Sequence, residues 1–285
     1  MKQRIITGLI GLVIFFIVLA FYDTVLFTIA VAIISLVAVH ELLLTQKCTK
    51  SIPLSLTAMI VSITPFVAYS GKDVDGHSTV LFNMLMPIIY GVAFLIMLLV
   101  MSLSKKKISF KQTVIAFLTS LLIPFAFCTL VMLRNEFSPA GLYYTILIFA
   151  CAWGADTGAY FTGRFFGKRK LAPKISPNKT IEGLYGGIVS CLLFVALVTT
   201  VYYFIMQSMG ETIIIHYIPL AIISVIGALF GVMGDLSASM IKRQCGVKDF
   251  GTIMPGHGGI MDRFDSVLFI APYFFIILQF FKLVS

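Results

Sequence analysis

Three aspartates in the carboxyl-terminal third of the sequence have the spacing of residues that handle phosphate groups. Asp235 precedes Ser239 and Lys242 by four and seven residues, so a helix would align a carboxylate, a hydroxyl and an ammonium on one face. Asp262 and Asp265, three residues apart, would share a helix face in the same way. Mg²⁺ prefers a few carboxylates together with substrate phosphates. We therefore predict that Asp235, Asp262 and Asp265 hold Mg²⁺, and that a second cation can bind there as well.

The cations needed for phosphate recognition lie in the same stretch. Lysine and arginine side chains complement phosphate oxygens through charge-assisted hydrogen bonds, and four are present: Lys242, Arg243, Lys248 and Arg263. Between them, residues 255–259 read Pro-Gly-His-Gly-Gly, a turn that can bring backbone N–H groups close to an anion ahead of a helix. This pattern indicates a connection that binds phosphate.

A second basic stretch, residues 164–181, ends in Ser-Pro-Asn-Lys179-Thr180, and we predict that Lys179 and Thr180 bind phosphate. Asp156 lies eight residues before Arg164, and Asp235 lies at a similar depth in its own helix. At 1.5 Å per residue both carboxylates are roughly 10–12 Å inside their helix ends. A charged aspartate inside a membrane helix costs about 3 kcal/mol and is usually paired or functional.

Each of these features also has a purely structural explanation. A Lys-Arg pair at a helix end anchors membrane topology, an aspartate at a helix start caps it, and a deep aspartate can pair with a loop cation. Their occurrence together between Asp235 and Ser266 favours chemistry, because no single structural explanation covers all of them.

The elements that position these residues are membrane helices. The chain has 285 residues, of which 59% are hydrophobic and 12% charged, with a mean hydropathy of +1.03. A soluble domain has about 25% charged residues, so this class is excluded. Apolar runs of about 20 residues are long enough to cross a bilayer as helices. Nine such segments are predicted, approximately at 5–22, 24–44, 52–70, 78–101, 114–133, 141–163, 182–206, 218–241 and 264–284.

The distribution of basic residues predicts the orientation of these helices. With nine spans, 18 of the 21 lysines and arginines fall on the side that holds the N-terminus, and the positive-inside rule makes that side cytoplasmic. We predict one all-α, polytopic membrane domain over residues 1–285. Residues 1–140 form lipid-facing helices, and residues 141–285 form a catalytic half with cytoplasmic loops 164–181 and 242–263.

Other classes of protein fit less well. The net charge of +9 has no soluble basic domain to present it, so a nucleic-acid partner is not expected. Five scattered cysteines without a C-x-x-C pair exclude a disulfide scaffold and a thiolate zinc site. The pairs Gly154/Gly158, Gly183/Gly187 and Gly227/Gly231 predict close helix packing. Glu41, the acidic exception among the N-terminal helices, either lines a lipid entrance or pairs with Lys47.

The segment from Ser239 to Asp265 resembles the signature of the phosphatidate cytidylyltransferases, the CDP-diacylglycerol synthases. The shared pattern is Ser239-x2-Lys242-Arg243-x4-Lys248-Asp249-x-Gly251-x2-Met254-Pro255-Gly256-His257-Gly258-Gly259-x2-Asp262-Arg263-x-Asp265, with Met254 a conservative departure. The run from Ser176 to Gly183 and the run from Asp156 to Tyr160 are similar to two further family elements.

The resemblance implies the reaction CTP + phosphatidate → CDP-diacylglycerol + pyrophosphate, part of phospholipid biosynthesis. It implies a Mg²⁺-dependent, homodimeric enzyme of the inner (cytoplasmic) membrane with its active site on the cytoplasmic side. The implied catalytic residues are Asp235, Asp262, Lys242 and Arg263. The implied substrate-binding residues are Asp156, Lys179, Thr180, Ser239, Arg243, Lys248, His257, Gly258 and Gly259.

Three alternatives remain on the sequence alone. A CTP-dependent kinase acting on a polyprenol or phytol would use a similar site and release CDP. An intramembrane aspartyl protease would also use two aspartates on neighbouring helices, but the residues before Asp156 and Asp235 differ from that pattern. An ion-coupled transporter would explain buried aspartates and broken helices, but not the dense basic loops on one side.

Overall fold

Helices account for nearly all of the predicted apolar segments. The computed structural model describes residues 2–70, 77–104, 108–256 and 258–285. The α-helices in this part of the chain are α1 (Lys2–Ala20), α2 (Val25–Thr45), α3 (Ile52–Ala68), α4 (His77–Leu103), α5 (Phe110–Glu136), α6 (Gly141–Phe166), α7 (Ile181–Ser208), α8 (Tyr217–Gln244), α9 (Met261–Phe264) and α10 (Val267–Leu278). A short 3-10 turn, Cys48–Lys50, lies between α2 and α3.

Five of these helices are long and apolar enough to cross a membrane. The spans are Val25–Thr45, Met84–Leu103, Phe110–Glu136, Ile181–Ser208 and Tyr217–Gln244, and three shorter apolar helices accompany them. Large apolar side chains such as Leu193 and Leu197 on α7 are mostly exposed, as expected where lipid rather than water is the solvent. These features are those of a helical protein that crosses the membrane several times.

The helix α6 is not among these five spans. It carries Asp156 and Arg164 together with threonines and glycines, which lower its hydropathy. The predicted ninth segment, 264–284, also differs from the structure, because the twelve-residue α10 covers only Val267–Leu278 and the four-residue α9 lies before it. Asp265 lies in the link between these two helices.

The described residues form two compact units. The N-terminal unit contains the residues up to Glu136 together with Cys245–Arg263, and the C-terminal unit contains Phe137–Gln244 together with Phe264–Ser285. In the N-terminal unit α5 packs against α2 and α3, with Leu43, Leu54 and Phe127 fully buried. In the C-terminal unit α6 packs along α7, while α10 packs against α8 and α6.

Glycines allow the close approach of α6 and α7. A Cβ atom at Gly158 would overlap the Ser190 side chain, and one at Gly187 would lie 2.9 Å from the carbonyl oxygen of Ala155. On α8, a Cβ at Gly231 would lie 3.0 Å from the Ile270 side chain of α10. The prediction that the glycine pairs mark tight helix contacts is confirmed, and the small residues serve packing.

The connection between α6 and α7 contains a ribbon that the sequence analysis did not predict. Strands β1 (Lys170–Ala172) and β2 (Ser176–Thr180) pair antiparallel, with Lys170 opposite Thr180. The Glu182 carboxylate, in the first turn of α7, accepts hydrogen bonds from the backbone N–H groups of Lys168 (3.0 Å) and Arg169 (3.1 Å). This carboxylate therefore joins the start of the ribbon to the helix that follows it.

All five cysteines are free, and four of them, Cys48, Cys128, Cys151 and Cys191, are buried. Buried thiols of this kind behave as small apolar residues.

Candidate active site

A pocket of about 480 Å³ lies within the C-terminal unit, where α6, the ribbon, α7 and α8 meet. Its walls carry acidic and basic side chains from segments that are far apart in sequence. The lining residues are Asp156, Ala159, Tyr160, Gly163, Arg164, Leu171, Asn178, Lys179, Thr180, Gly183, Leu184, Val232 and Asp235. Four of the predicted site residues, Asp156, Lys179, Thr180 and Asp235, are thus brought together at one cavity.

Lys179 and Asp235 form an ion pair in this pocket, with side chains that are 23% and 27% exposed. The Ser239 hydroxyl donates a hydrogen bond of 3.2 Å to the other carboxylate oxygen of Asp235. The predicted shared face of Asp235 and Ser239 on α8 is therefore present. The ribbon carries Lys179 to this face, so an ammonium and a carboxylate line the cavity side by side.

Negative charge accumulates around Asp235. Asp265 lies between α9 and α10, outside both helices, and burial together with the charges of Asp235 and Asp156 raises its pKa to about 7. The positive charge of Lys242 lowers this pKa in part, so the ammonium acts on the same carboxylate group. The charges of Asp235 and Asp156 thus oppose ionisation of Asp265, and a cation placed among the three carboxylates would reduce this repulsion.

Thr180 has a structural part in the pocket. Its side-chain oxygen accepts a hydrogen bond from the Gly183 N–H (3.1 Å) and so caps α7. The N-cap places Lys179 immediately before the positive end of α7, where backbone N–H groups and the helix dipole favour an anion.

Three pocket residues with polar or charged side chains were not among the predicted site residues: Tyr160, Arg164 and Asn178. Arg164 donates a hydrogen bond of 2.8 Å to the Tyr160 hydroxyl. A signal for two of them was present in the sequence, because Asp156, Tyr160 and Arg164 follow one another at intervals of four residues and therefore share one face of α6.

Two predicted phosphate ligands do not line the pocket, namely Lys242 and Arg243 at the end of α8. The Arg243 Nε donates a 3.4 Å hydrogen bond to the carbonyl oxygen of Ile175, which lies in the β1–β2 turn. The end of α8 is thereby joined to the ribbon that carries Lys179.

The remaining predicted residues lie in the connection 245–263, within the N-terminal unit. Asp262 is 9% exposed, and its Oδ2 accepts hydrogen bonds from the backbone N–H groups of Phe250 (2.8 Å) and Gly259 (2.9 Å). The Gly259 N–H group, which was predicted to bind phosphate, thus donates to a carboxylate of its own loop in this structure. Gly258 adopts a positive φ of 84°, a conformation that favours glycine. Lys248 and Arg263 are exposed, and His257 lies outside the described residues.

The donor set suits Mg²⁺ in one respect. Within the described ranges, no three His, Cys, Asp or Glu side chains are grouped closely enough to hold a metal ion by themselves. Mg²⁺ is usually held by one or two carboxylates, with substrate phosphates and waters as its other ligands. Asp235 and Asp265, whose charges interact, could supply such a pair when a nucleotide is bound.

Comparison with known proteins identifies the family of this chain. Residues 2–281 match the Cytidylyltransferase family. The chain belongs to this family. It is 36% identical to the phosphatidate cytidylyltransferase of Bacillus subtilis (strain 168), over 99% of each chain. It is 35% identical to the enzyme of that name from Staphylococcus haemolyticus (strain JCSC1435) and 36% identical to that from Staphylococcus aureus (strain COL), over 98% of this chain and 99% of theirs.

Membership of the cytidylyltransferase family makes the chain a nucleotidyltransferase. The pocket is consistent with this activity, because a phosphate-transferring site needs cations for the phosphate oxygens and carboxylates for a metal. Lys179 and Asp235 meet these two requirements at one cavity wall.

Proposed function

We propose that this protein is a phosphatidate cytidylyltransferase, which converts CTP and phosphatidate into CDP-diacylglycerol and pyrophosphate. The ion pair of Lys179 and Asp235 in a pocket that also contains Asp156 and Arg164 is the observation that supports it most directly. The near full-length likeness to proteins of that name supports the choice of substrates.

The reaction needs little help from a general base. The second pKa of a phosphate monoester is about 6, so the lipid phosphate is already mostly dianionic at pH 7. One of its oxygens attacks the α-phosphorus of CTP, a new P–O bond forms, and the bond to the β-phosphate breaks to release pyrophosphate. The main barrier is the repulsion between two anions, which positioned cations reduce.

The residues of this chain divide that work as follows. Lys179, just before the N-terminal end of α7, binds and orients phosphate oxygens, and Arg164 assists it from across the pocket. Lys242 and Arg263 neutralise charge that develops during transfer. The other substrate contacts are Asp156, Thr180, Ser239, Arg243, Lys248, His257, Gly258 and Gly259.

Asp235, Asp265 and Asp262 are the proposed ligands of Mg²⁺. When bound, the ion would neutralise phosphate charge and polarise the phosphorus centre. Lys179 would bind a phosphate oxygen in place of the Asp235 carboxylate when the substrate enters the pocket, because both are anions that can pair with its ammonium.

The proposed membrane arrangement has nine spans, formed by α1 to α8 and α10. The N-terminus, the ribbon connection and the connection 245–263 face the cytoplasm, since this side then holds most of the lysines and arginines. The protein would lie in the inner membrane as a homodimer. The diacyl chains of the substrate would remain in lipid while the headgroup reaches the pocket, and no nucleic acid would take part.

Isotope placement tests the reaction. Purified protein is incubated in detergent with phosphatidate, Mg²⁺ and CTP labelled at either the α- or the γ-phosphate. The proposal predicts that α-label enters the lipid fraction as CDP-diacylglycerol, that γ-label leaves as pyrophosphate, and that a chelator stops both. A lipid kinase would transfer the γ-phosphate to its acceptor, a polyprenol or phytol. The γ-label would then enter the lipid fraction, and CDP would be released. Either outcome would exclude the cytidylyltransferase assignment.

A further inference from the structure

Glu41 is a carboxylate buried in the N-terminal unit that the proposed reaction does not use. It lies on α2 and is 2% exposed. A buried carboxylate is costly unless hydrogen-bond donors or a cation satisfy it. Its partners therefore indicate what it does.

Those partners are two consecutive backbone N–H groups at the start of α9. Ile260 donates to Oε1 at 3.1 Å, and Met261 donates to Oε2 at 2.9 Å. Both oxygens of Glu41 are thus engaged with the connection 245–263, at the residues directly before Asp262. The N–H groups at the start of a helix have no partner within the helix, so the carboxylate satisfies two of them.

Two glycines of the same connection make room for this carboxylate. A Cβ atom at Gly251 or at Gly259 would overlap the Glu41 side chain, and the nearest atoms in both cases all belong to Glu41. Neither glycine has a positive φ. Close approach to Glu41, rather than backbone conformation, is therefore the steric reason for glycine at these positions.

Further hydrogen bonds connect α2, the connection 245–263 and Asp262. The hydroxyl of Thr45, one turn after Glu41 on α2, lies 2.9 Å from the carbonyl oxygen of Glu41 and 3.3 Å from that of Phe250, so its one proton is shared between these two acceptors. The N–H groups of Phe250 and Gly259 both donate to Asp262. The connection is held to α2 at both ends of the segment 250–261, and the Asp262 carboxylate bridges those ends.

We infer that Glu41 is a positioning residue of the cytidylyltransferase: it fixes the backbone of residues 250–261 so that Asp262 and Arg263 are presented in one orientation. This inference rests on the proposed function for its catalytic consequence, but the restraint itself is a property of the N-terminal unit. A carboxylate is suited to the task because it can accept two hydrogen bonds at once and donates none.

The substitution Glu41→Gln tests the restraint directly. It keeps the size of the side chain but replaces one acceptor by an N–H₂ donor, which faces a backbone N–H. Hydrogen exchange of full-length protein in detergent, without substrates, should show at least a roughly tenfold faster rate in peptides covering 250–262. Peptides from α3 and α5 should be unchanged. Equal acceleration throughout the N-terminal unit would mean a general structural role and would overturn the inference.

Turnover is the second readout. The value of kcat/KM for CTP should fall by roughly tenfold or more in Glu41→Gln, and Glu41→Asp, which keeps the charge but is one methylene shorter, should recover part of it. The matched control is Ser35→Ala on the same helix. The Ser35 hydroxyl is buried with no hydrogen-bond partner among the described residues, so this variant should match the wild type in both readouts. Unchanged kcat/KM in Glu41→Gln would overturn the inference.

A double-mutant cycle separates this role from general destabilisation. Gly251→Ala should impair the enzyme with Glu41 present, because the new methyl overlaps the carboxylate. In a Glu41→Ala background that overlap is gone, so Gly251→Ala should have little further effect on kcat/KM or exchange. Additive losses would contradict the proposed contact. If the wild-type protein made no CDP-diacylglycerol, the exchange results alone would still decide whether Glu41 restrains the connection.

Discussion

Lys179 and Asp235 form an ion pair across the pocket of the C-terminal unit, between strand β2 of the ribbon and the second half of α8. Neither side chain is fully buried, so substrates can reach both. We propose that the pair couples a phosphate-binding cation to a metal-binding carboxylate, so its two members should have separable effects.

Replacement of Lys179 should lower turnover strongly. In Lys179→Ala the phosphate loses a preorganised cation, and loss of one such donor typically lowers the rate about 10²- to 10³-fold. The measurement is CDP-diacylglycerol formation by purified protein at saturating Mg²⁺. Lys174→Ala is the control, because Lys174 is an exposed cation of the same connection and does not line the pocket. Equal losses in both variants would point to general electrostatics instead.

Asp235 and Asp262 should differ in their effect on stability. Asp262→Ala leaves the N–H groups of Phe250 and Gly259 without their acceptor, and each buried donor left unsatisfied costs about 1–3 kcal/mol. Asp235→Ala removes a carboxylate from a pocket wall. Both variants should lose turnover, but the thermal midpoint should fall clearly only in Asp262→Ala. Normal turnover in either variant would remove that residue from the metal site.

Gly158 should tolerate no side chain at the contact between α6 and α7. Gly158→Ala introduces a methyl that overlaps Ser190 and lies 2.7 Å from the carbonyl oxygen of Gly186, and such overpacking costs about 1–3 kcal/mol. Gly91→Ala on α4 is the control, since a Cβ there has no atom within 4 Å. Thermal unfolding in detergent should show a lower midpoint for the first variant and an equal or higher one for the second.

Cysteines in the α6–α7 connection and in the connection 245–263 should be labelled from the same side of the membrane. Membrane-impermeant thiol reagents should label Cys245 and an introduced Lys174→Cys from the cytoplasmic side in inside-out vesicles. Glu211→Cys, between α7 and α8, should be labelled only in right-side-out vesicles, in a background with Cys245→Ser. Labelling of Cys245 and Lys174→Cys from opposite sides would exclude a shared active site and with it the enzyme assignment.

Much of the fold could be read from local patterns. Runs of apolar residues located eight helices to within a few residues, because a bilayer demands long uninterrupted apolar stretches. The ribbon of Lys170–Ala172 and Ser176–Thr180 was missed, since its residues are polar and too few to show a period of two. The ninth predicted segment began at 264, whereas α10 begins at Val267, because the edge of an apolar run fixes a helix end only to within a few residues.

Part of the site was also accessible from spacing. The i, i+4 relation of Asp235 and Ser239 predicted that they share a helix face, and the structure adds a hydrogen bond between them. The same rule applied to Asp156 would have found Tyr160 and Arg164. The partner of Glu41 could not be found in this way. Lys47, six residues further along, was considered, yet the carboxylate bonds backbone atoms of Ile260 and Met261, 219 and 220 residues away.

The amino-acid sequence by itself determined the class of protein, the helices and the family signature, because hydrophobic runs and motif spacing are properties of neighbouring residues. Only the tertiary structure decided which charges meet. Lys179 reaches Asp235, and Glu41 reaches the start of α9, through contacts between segments far apart in the chain. The residue type does not indicate whether a backbone N–H group will donate to a buried carboxylate. Such a contact is therefore visible only in the packed structure.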